Sequence, residues 1–91
     1  MSSAPDTLKE EVKHAIVESL RLPISADEFE NGMSLFGEGL GLDSIDVLEL
    51  VLEMERRFGV SITDDETGQR VLRSVDTIAD FIVSERARKA V

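Results

Sequence analysis

The sequence predicts an all-α fold: a small four-helix bundle of three main helices and one short one, with a long loop between helices one and two. Three observations predict it. Apolar residues recur at helical spacing in three separate stretches, each opened by a residue type that caps helices. No stretch alternates convincingly between apolar and polar residues as a half-buried strand does. The chain of 91 residues is 42% hydrophobic and has no cysteine, so its core must be held by side-chain packing without disulfides. A single domain is expected over residues 1–91, with its core at about 7–83, a short N-terminal tail and a basic end to the last helix.

The first helix is read in "DTLKEEVKHAIVESLRL", where Leu8, Val12, Ala15, Ile16, Ser19 and Leu20 share a face. Thr7 with Glu10 reads as a capping box, and Pro23 ends the helix or closely follows its end. His14 falls off the apolar stripe and, with no second histidine to work with, reads as a solvated surface residue. Residues 23–42 form the long loop. It carries Ile24, Phe29, Met33, Leu35, Phe36, Leu40 and Leu42, enough apolar side chains to pack across a bundle.

Helix two is expected from Ser44 to Phe58, with Asp43 as N-cap, Asp46 in the first turn, Arg56 and Arg57 in the last, and Gly59 as the stop. "TDDE" at 63–66 reads as a capping box that opens a short helix interrupted by Gly68. In "SVDTIADFIVSERARK", Ser74 caps the final helix and Val75, Ile78, Ala79 and Ile82 face inward.

The net charge of −9 is unevenly placed. Between Leu22 and Glu55 there are nine acids and no Lys or Arg; elsewhere ten acids meet ten bases. The whole formal excess therefore lies in one segment. Such a field disfavours nucleic-acid binding, which needs a basic surface, and favours a partner with a basic patch. No signal peptide is apparent, and no apolar run approaches the ~20 residues of a membrane span, so a soluble, cytoplasmic monomer is expected. The glycines of "FGEGLGLD" lack the strand and the basic residue of a phosphate loop and read as a flexible turn. "DSIDVLELVLE" lacks the ligand spacing of a calcium loop, and no metal site is assigned. A lone histidine and no cysteine leave no convincing base or thiol nucleophile, so no catalytic residue is assigned and the chain is not read as an enzyme.

Helix two is the informative element. From Ile45 to Met54 seven residues are apolar and the other three are acids. Val47, Leu50, Val51, Met54 and Phe58 form one stripe, enough to face the core. Ile45, Leu48 and Leu52 form a second line beside Asp46, Glu49 and Glu53. Either the helix lies centrally and buries both lines, or the second line is an apolar strip edged by charge that awaits a partner; the flanking acids favour the partner. Ser44 heads this strip. With Asp43 filling the cap, its hydroxyl is free to point outward, and a helix N-terminus tolerates phosphate. Phosphorylation and attachment of a phosphodiester-linked group are both compatible with that position.

These residues resemble the acyl carrier protein family. The family's Asp-Ser-Leu element at the start of an acidic second helix, followed by Val/Leu-Glu-Leu, appears here as Asp43-Ser44-Ile45, Asp46, then Leu48-Glu49-Leu50 and "EMERRFGVSI". The "SLFGEGLGLDS" approach and "SVDTIADFI" are also similar in character, so the resemblance covers about residues 7–83. It implies that Ser44 carries 4′-phosphopantetheine through a phosphodiester, placed there from coenzyme A by a phosphopantetheinyl transferase. The thiol of that arm would hold acyl groups as thioesters and present them to enzymes of fatty acid, lipid or polyketide-type biosynthesis. Asp43, Ile45, Asp46, Leu48, Glu49, Leu52 and Glu53 would form the docking face for basic patches on the transferase and on acyl-loading and acyl-processing enzymes. Ile45 in place of Leu, a slightly longer loop before Ser44, about two extra residues between Ile62 and Val75, and Arg56 and Arg57 in place of further acids together suggest a specialised, discrete carrier. An aminoacyl or peptidyl carrier is the alternative within the same chemistry; an acidic interaction module without a prosthetic group is the alternative outside it.

Overall fold

In the computed structural model, which describes residues 4–28, 30–36 and 41–89, four helices follow one another: α1 (Asp6–Leu20), α2 (Ser44–Phe58), α3 (Asp65–Val71) and α4 (Val75–Lys89). No strand occurs among the described residues. Helix α1 packs against both α2 and α4, while α3 packs against α4. The fold class is the one the sequence predicts.

Helix α1 starts differently from expectation. Pro5 occupies the N-cap position in extended backbone, and its carbonyl accepts the N–H groups of Leu8 at 3.1 Å and Lys9 at 3.2 Å. Thr7 therefore lies inside the first turn, no side chain among the described residues caps the helix, and the predicted box with Glu10 is corrected. Proline serves here because its ring holds φ near the helical value and brings no N–H that needs a partner. At the other end Arg21 takes a left-handed conformation, φ 51°, and the N–H groups of Arg21 and Leu22 both reach the Val17 carbonyl. That closure stops the helix before Pro23 is reached.

The core is one cluster. Leu8, Val12, Ala15 and Ile16 of α1 meet Leu50, Met54 and Phe58 of α2, Val75, Ile78, Ala79 and Ile82 of α4, and Val71 and Leu72 at the end of α3. The long loop contributes as its apolar content predicts: Leu35 and Leu42 are buried, and Ile24, Met33 and Phe36 are half-buried against the same cluster. It also contains a 3-10 turn, Ala26–Glu28, that periodicity did not suggest. Phe29, Leu40 and the glycines at 37 and 39, which the sequence reading placed in this loop, lie outside the described residues.

The short helix is capped by Asp64, whose carboxylate accepts the Thr67 N–H at 2.7 Å and the Thr67 hydroxyl at 2.9 Å. This replaces the predicted Thr63–Glu66 box. Gly68 does not interrupt α3; the helix runs through it, and a Cβ there would stand 3.5 Å from Ile62 Cγ2. Ser74 caps α4 as predicted: its hydroxyl receives the Thr77 N–H, and its own N–H reaches Thr77 Oγ1 at 3.0 Å. At the far side of the bundle the Arg86 guanidinium lies over the Phe58 ring, 5.9 Å from its centre.

Leu50→Ala should lower the unfolding free energy in urea by about 2–5 kcal/mol, the range for a buried leucine truncated without collapse of the site. Leu48→Ala, on the open side of the same helix, should stay within about 0.5 kcal/mol. For Asp64, the Thr67 N–H and then the Thr67 hydroxyl hold the carboxyl below its ordinary value of 3.8. Its contribution is therefore complete above that value and is lost as pH falls through the lowered one. Asp64→Asn should flatten the acid limb of stability, measured by urea midpoints from neutral to acidic pH.

Candidate functional site

The site is built around the start of α2, and the backbone before it is held in place. Gly41 adopts φ 68°, a left-handed conformation that glycine takes without steric cost. Leu42 follows it into the core and donates its N–H to the Leu35 carbonyl at 3.0 Å. Leu35, fully buried, in turn donates its N–H to the Arg73 carbonyl at 2.9 Å. Two backbone hydrogen bonds thus tie the approach to α2 to the turn between α3 and α4.

Asp43 then caps the helix. Its Oδ1 accepts the N–H groups of Ile45 and Asp46, each at 3.0 Å, and Asp46 Oδ2 accepts the Asp43 N–H at 3.2 Å. This reciprocal box serves the donors of the first turn without recruiting Ser44. Ser44 is exposed, and its hydroxyl has no partner among the described residues. The nearest basic side chains of α2 are Arg56 and Arg57, about 18 Å farther along the axis at 1.5 Å per residue.

The second apolar line is open, so the alternative in which α2 lies centrally and buries both lines does not hold. Ile45 is 68% exposed, Leu48 60% and Leu52 52%, while Leu50, Met54 and Phe58 are buried and Val47 and Val51 half-buried. Asp43 and Glu49 are exposed beside that line, and Asp46 is half-exposed at the cap.

Glu53 does not join this face. It is only 8% exposed, bonded to the Arg57 guanidinium and 3.5 Å from Arg56. Arg57 also reaches Glu18 of α1 at 3.2 Å. At about 100° per residue, position 53 falls on the flank turned towards α1, where Arg57 covers it. The expectation that Glu53 belongs to the docking face is corrected on that ground. The Glu53 carboxylate, first among the causes, raises the pKa of Arg57.

The opposite flank of α2 borders a groove of about 1040 Å³. Ser44 stands at it with Phe36, Leu42, Val47, Leu48, Val51 and Ile62, and Thr63, Asp64, Gln69 and Arg73 complete much of the lining. The sequence places Val47 and Val51 on the core-facing stripe; here they are half-buried against the core and line the groove. Ile62, Gln69 and Arg73 were not legible as its lining, because no local pattern says that these residues come to lie beside α2. A smaller hollow of about 390 Å³ lies across the bundle between Glu11, His14, Arg57 and Phe58, with His14 exposed as expected. Among the described residues no group of three or more His, Asp or Glu is placed to hold a metal ion, and no helix is long and apolar enough to cross a membrane.

Comparison with known proteins meets this geometry. A family model described as a phosphopantetheine attachment site matches residues 10–82. An acyl carrier protein of Nitratidesulfovibrio vulgaris (strain DP4) is 39% identical over 80 residues, 88% of this chain and 99% of the relative. That of the Hildenborough strain matches to the same extent, and that of strain DSM 19637 / Miyazaki F is 38% identical over 73 residues, 80% of this chain and 91% of the relative.

The division of labour between the two adjacent residues can be measured. Asp43→Ala should cost about 0.5–2 kcal/mol in urea denaturation, the usual loss for an N-cap. Ser44→Ala should leave stability within about 0.5 kcal/mol, since its hydroxyl holds nothing together.

Proposed function

The chain belongs to the acyl carrier protein family, whose members carry 4′-phosphopantetheine, and from that premise we propose that Ser44 is its attachment residue. The observation that carries this reading is an exposed serine hydroxyl at the first turn of α2 that the cap leaves unused. Ser44 is exposed to solvent, which supports access by a modifying enzyme, and the N-terminal dipole of a 15-residue helix would temper the charge of a phosphodiester there. When bound, the arm supplies a thiol that holds acyl groups as thioesters. The polypeptide, without cysteine, then acts as carrier and address rather than as catalyst.

The address is the outer face of α2. Ile45, Leu48 and Leu52 offer an apolar strip, and Asp43, Asp46 and Glu49 surround it with negative charge. A partner with an apolar patch framed by Lys and Arg buries the strip and is steered to it by the field. A phosphopantetheinyl transferase and the enzymes that load and process acyl groups are the partners of this kind. Glu53 is left out, being engaged with Arg57 inside the α1–α2 contact. The groove beside Ser44 is the shelter for the cargo, with Leu42, Val47, Val51 and Ile62 as its apolar wall. Its size lies at the upper end for a ligand pocket of ~300–1,000 Å³.

Incubation with coenzyme A and a broad-specificity transferase should add one phosphopantetheinyl group by intact mass, and none to Ser44→Ala. A chain that stays unmodified, or a Ser44→Ala variant that gains the group, removes the reading. Glu49→Lys should slow the modification about tenfold at low salt, in keeping with a steered encounter. Glu11→Lys, on exposed α1 surface, should leave the rate unchanged. Asp76 is unsuitable as a control, because its carboxylate pairs with Lys9 at 3.1 Å.

A further inference from the structure

The groove beside Ser44 is not uniformly apolar. Val47, Val51 and Ile62 line it, but so do Gln69 and Arg73. Two carboxylates also border it, and both are engaged elsewhere. Asp43 accepts the first N–H groups of α2, and Asp64 accepts the N–H and hydroxyl of Thr67 at the start of α3. Each is stabilised by a helix N-terminus and offers no ion pair to the groove. Arg73 differs. Its backbone is held through its carbonyl by Leu35, so its side chain extends from a fixed base. Its guanidinium has no ion pair among the described residues, although it borders a stretch dense in acids.

A guanidinium stays charged at any working pH and presents donors in a planar fork that matches a carboxylate. From this juxtaposition we infer that the groove is shaped for an acyl chain whose far end carries a carboxylate, with Arg73 as the residue that receives it. The methylenes lie across Val47, Val51 and Ile62, and the charged end reaches Arg73 and Gln69. An unsubstituted fatty chain of equal length covers the same apolar wall and leaves Arg73 to water. The inference rests on the reading that Ser44 carries the arm.

The test uses the phosphopantetheinylated protein loaded with one of two eight-carbon groups, octanoyl or the monothioester of suberic acid. Thioester cleavage by hydroxylamine is followed by intact mass. The suberoyl form should be cleaved several-fold more slowly than the octanoyl form. Arg73→Gln should abolish that difference and leave octanoyl cleavage unchanged, Arg73→Lys should keep part of it, and high salt should weaken it. Equal cleavage of the two cargoes in the unsubstituted protein, or a difference that survives Arg73→Gln, overturns the proposal. The arm's own phosphodiester is the other anion within the site. A phosphorus-31 shift that Arg73→Gln changes in the unloaded form, with no cargo difference, assigns Arg73 to that phosphate and also overturns it. A matching thermal midpoint of the unmodified Arg73→Gln variant shows that the fold is intact. Failure of Ser44 to accept the arm at all removes the attachment reading and the cargo with it, whereas loading without an Arg73 effect removes the cargo alone.

Discussion

The reciprocal cap at the head of α2 is the interaction from which the rest of the site follows. Asp43 holds the N–H groups of Ile45 and Asp46, and Asp46 returns a bond to the N–H of Asp43. A serine beside a helix start is ordinarily drawn into that duty. Here two aspartates perform it between them, and the hydroxyl in the middle is left facing water. The same bonds make α2 begin at one defined residue, so everything spaced along the helix, from Ile45 to Phe58, is set in rotation about its axis by that one position.

That cap would be of little use on a wandering chain. The long loop is anchored by its own apolar side chains and by two backbone bonds, Leu42 to Leu35 and Leu35 to Arg73. Gly41 supplies the left-handed turn that lets Leu42 enter the core just before Asp43 must leave it. An irregular segment is thus positioned by burial at a few points, which is the common way for loops to hold functional residues on a rigid frame.

Four sides of α2 then do four things. Leu50, Met54 and Phe58 complete the core. Glu53 and Arg57 join α1 through Glu18. Ile45, Leu48, Glu49 and Leu52 remain open to solvent. Val47 and Val51 form one wall of the groove. The formal negative excess of the chain lies in the same stretch of sequence as this exposed apolar strip.

Much of this was legible from local pattern. Helix periods, the Asp43 cap, the Gly59 stop, the inward face of α4 and the apolar content of the loop depend on residues within about one turn of each other, and sequence records such relations directly. Resemblance to a known family pointed to Ser44 in the same way, through a short contiguous motif. The errors share a cause. Pro5 displaced Thr7, and Asp64 displaced Thr63, because several nearby residues were chemically able to cap and only the folded backbone chose among them. Glu53 looked like its neighbour Glu49 in sequence, yet α1 packs on its side of the helix and Arg57 closes over it. The groove, and the place of Arg73 in it, came from segments some thirty residues apart in the chain. Sequence alone determined which elements form and that a serine stands at the head of α2, since those are matters of local hydrogen bonding and period. Tertiary structure decided which flanks of α2 are covered and what faces its open side, because burial depends on partners that no local spacing specifies.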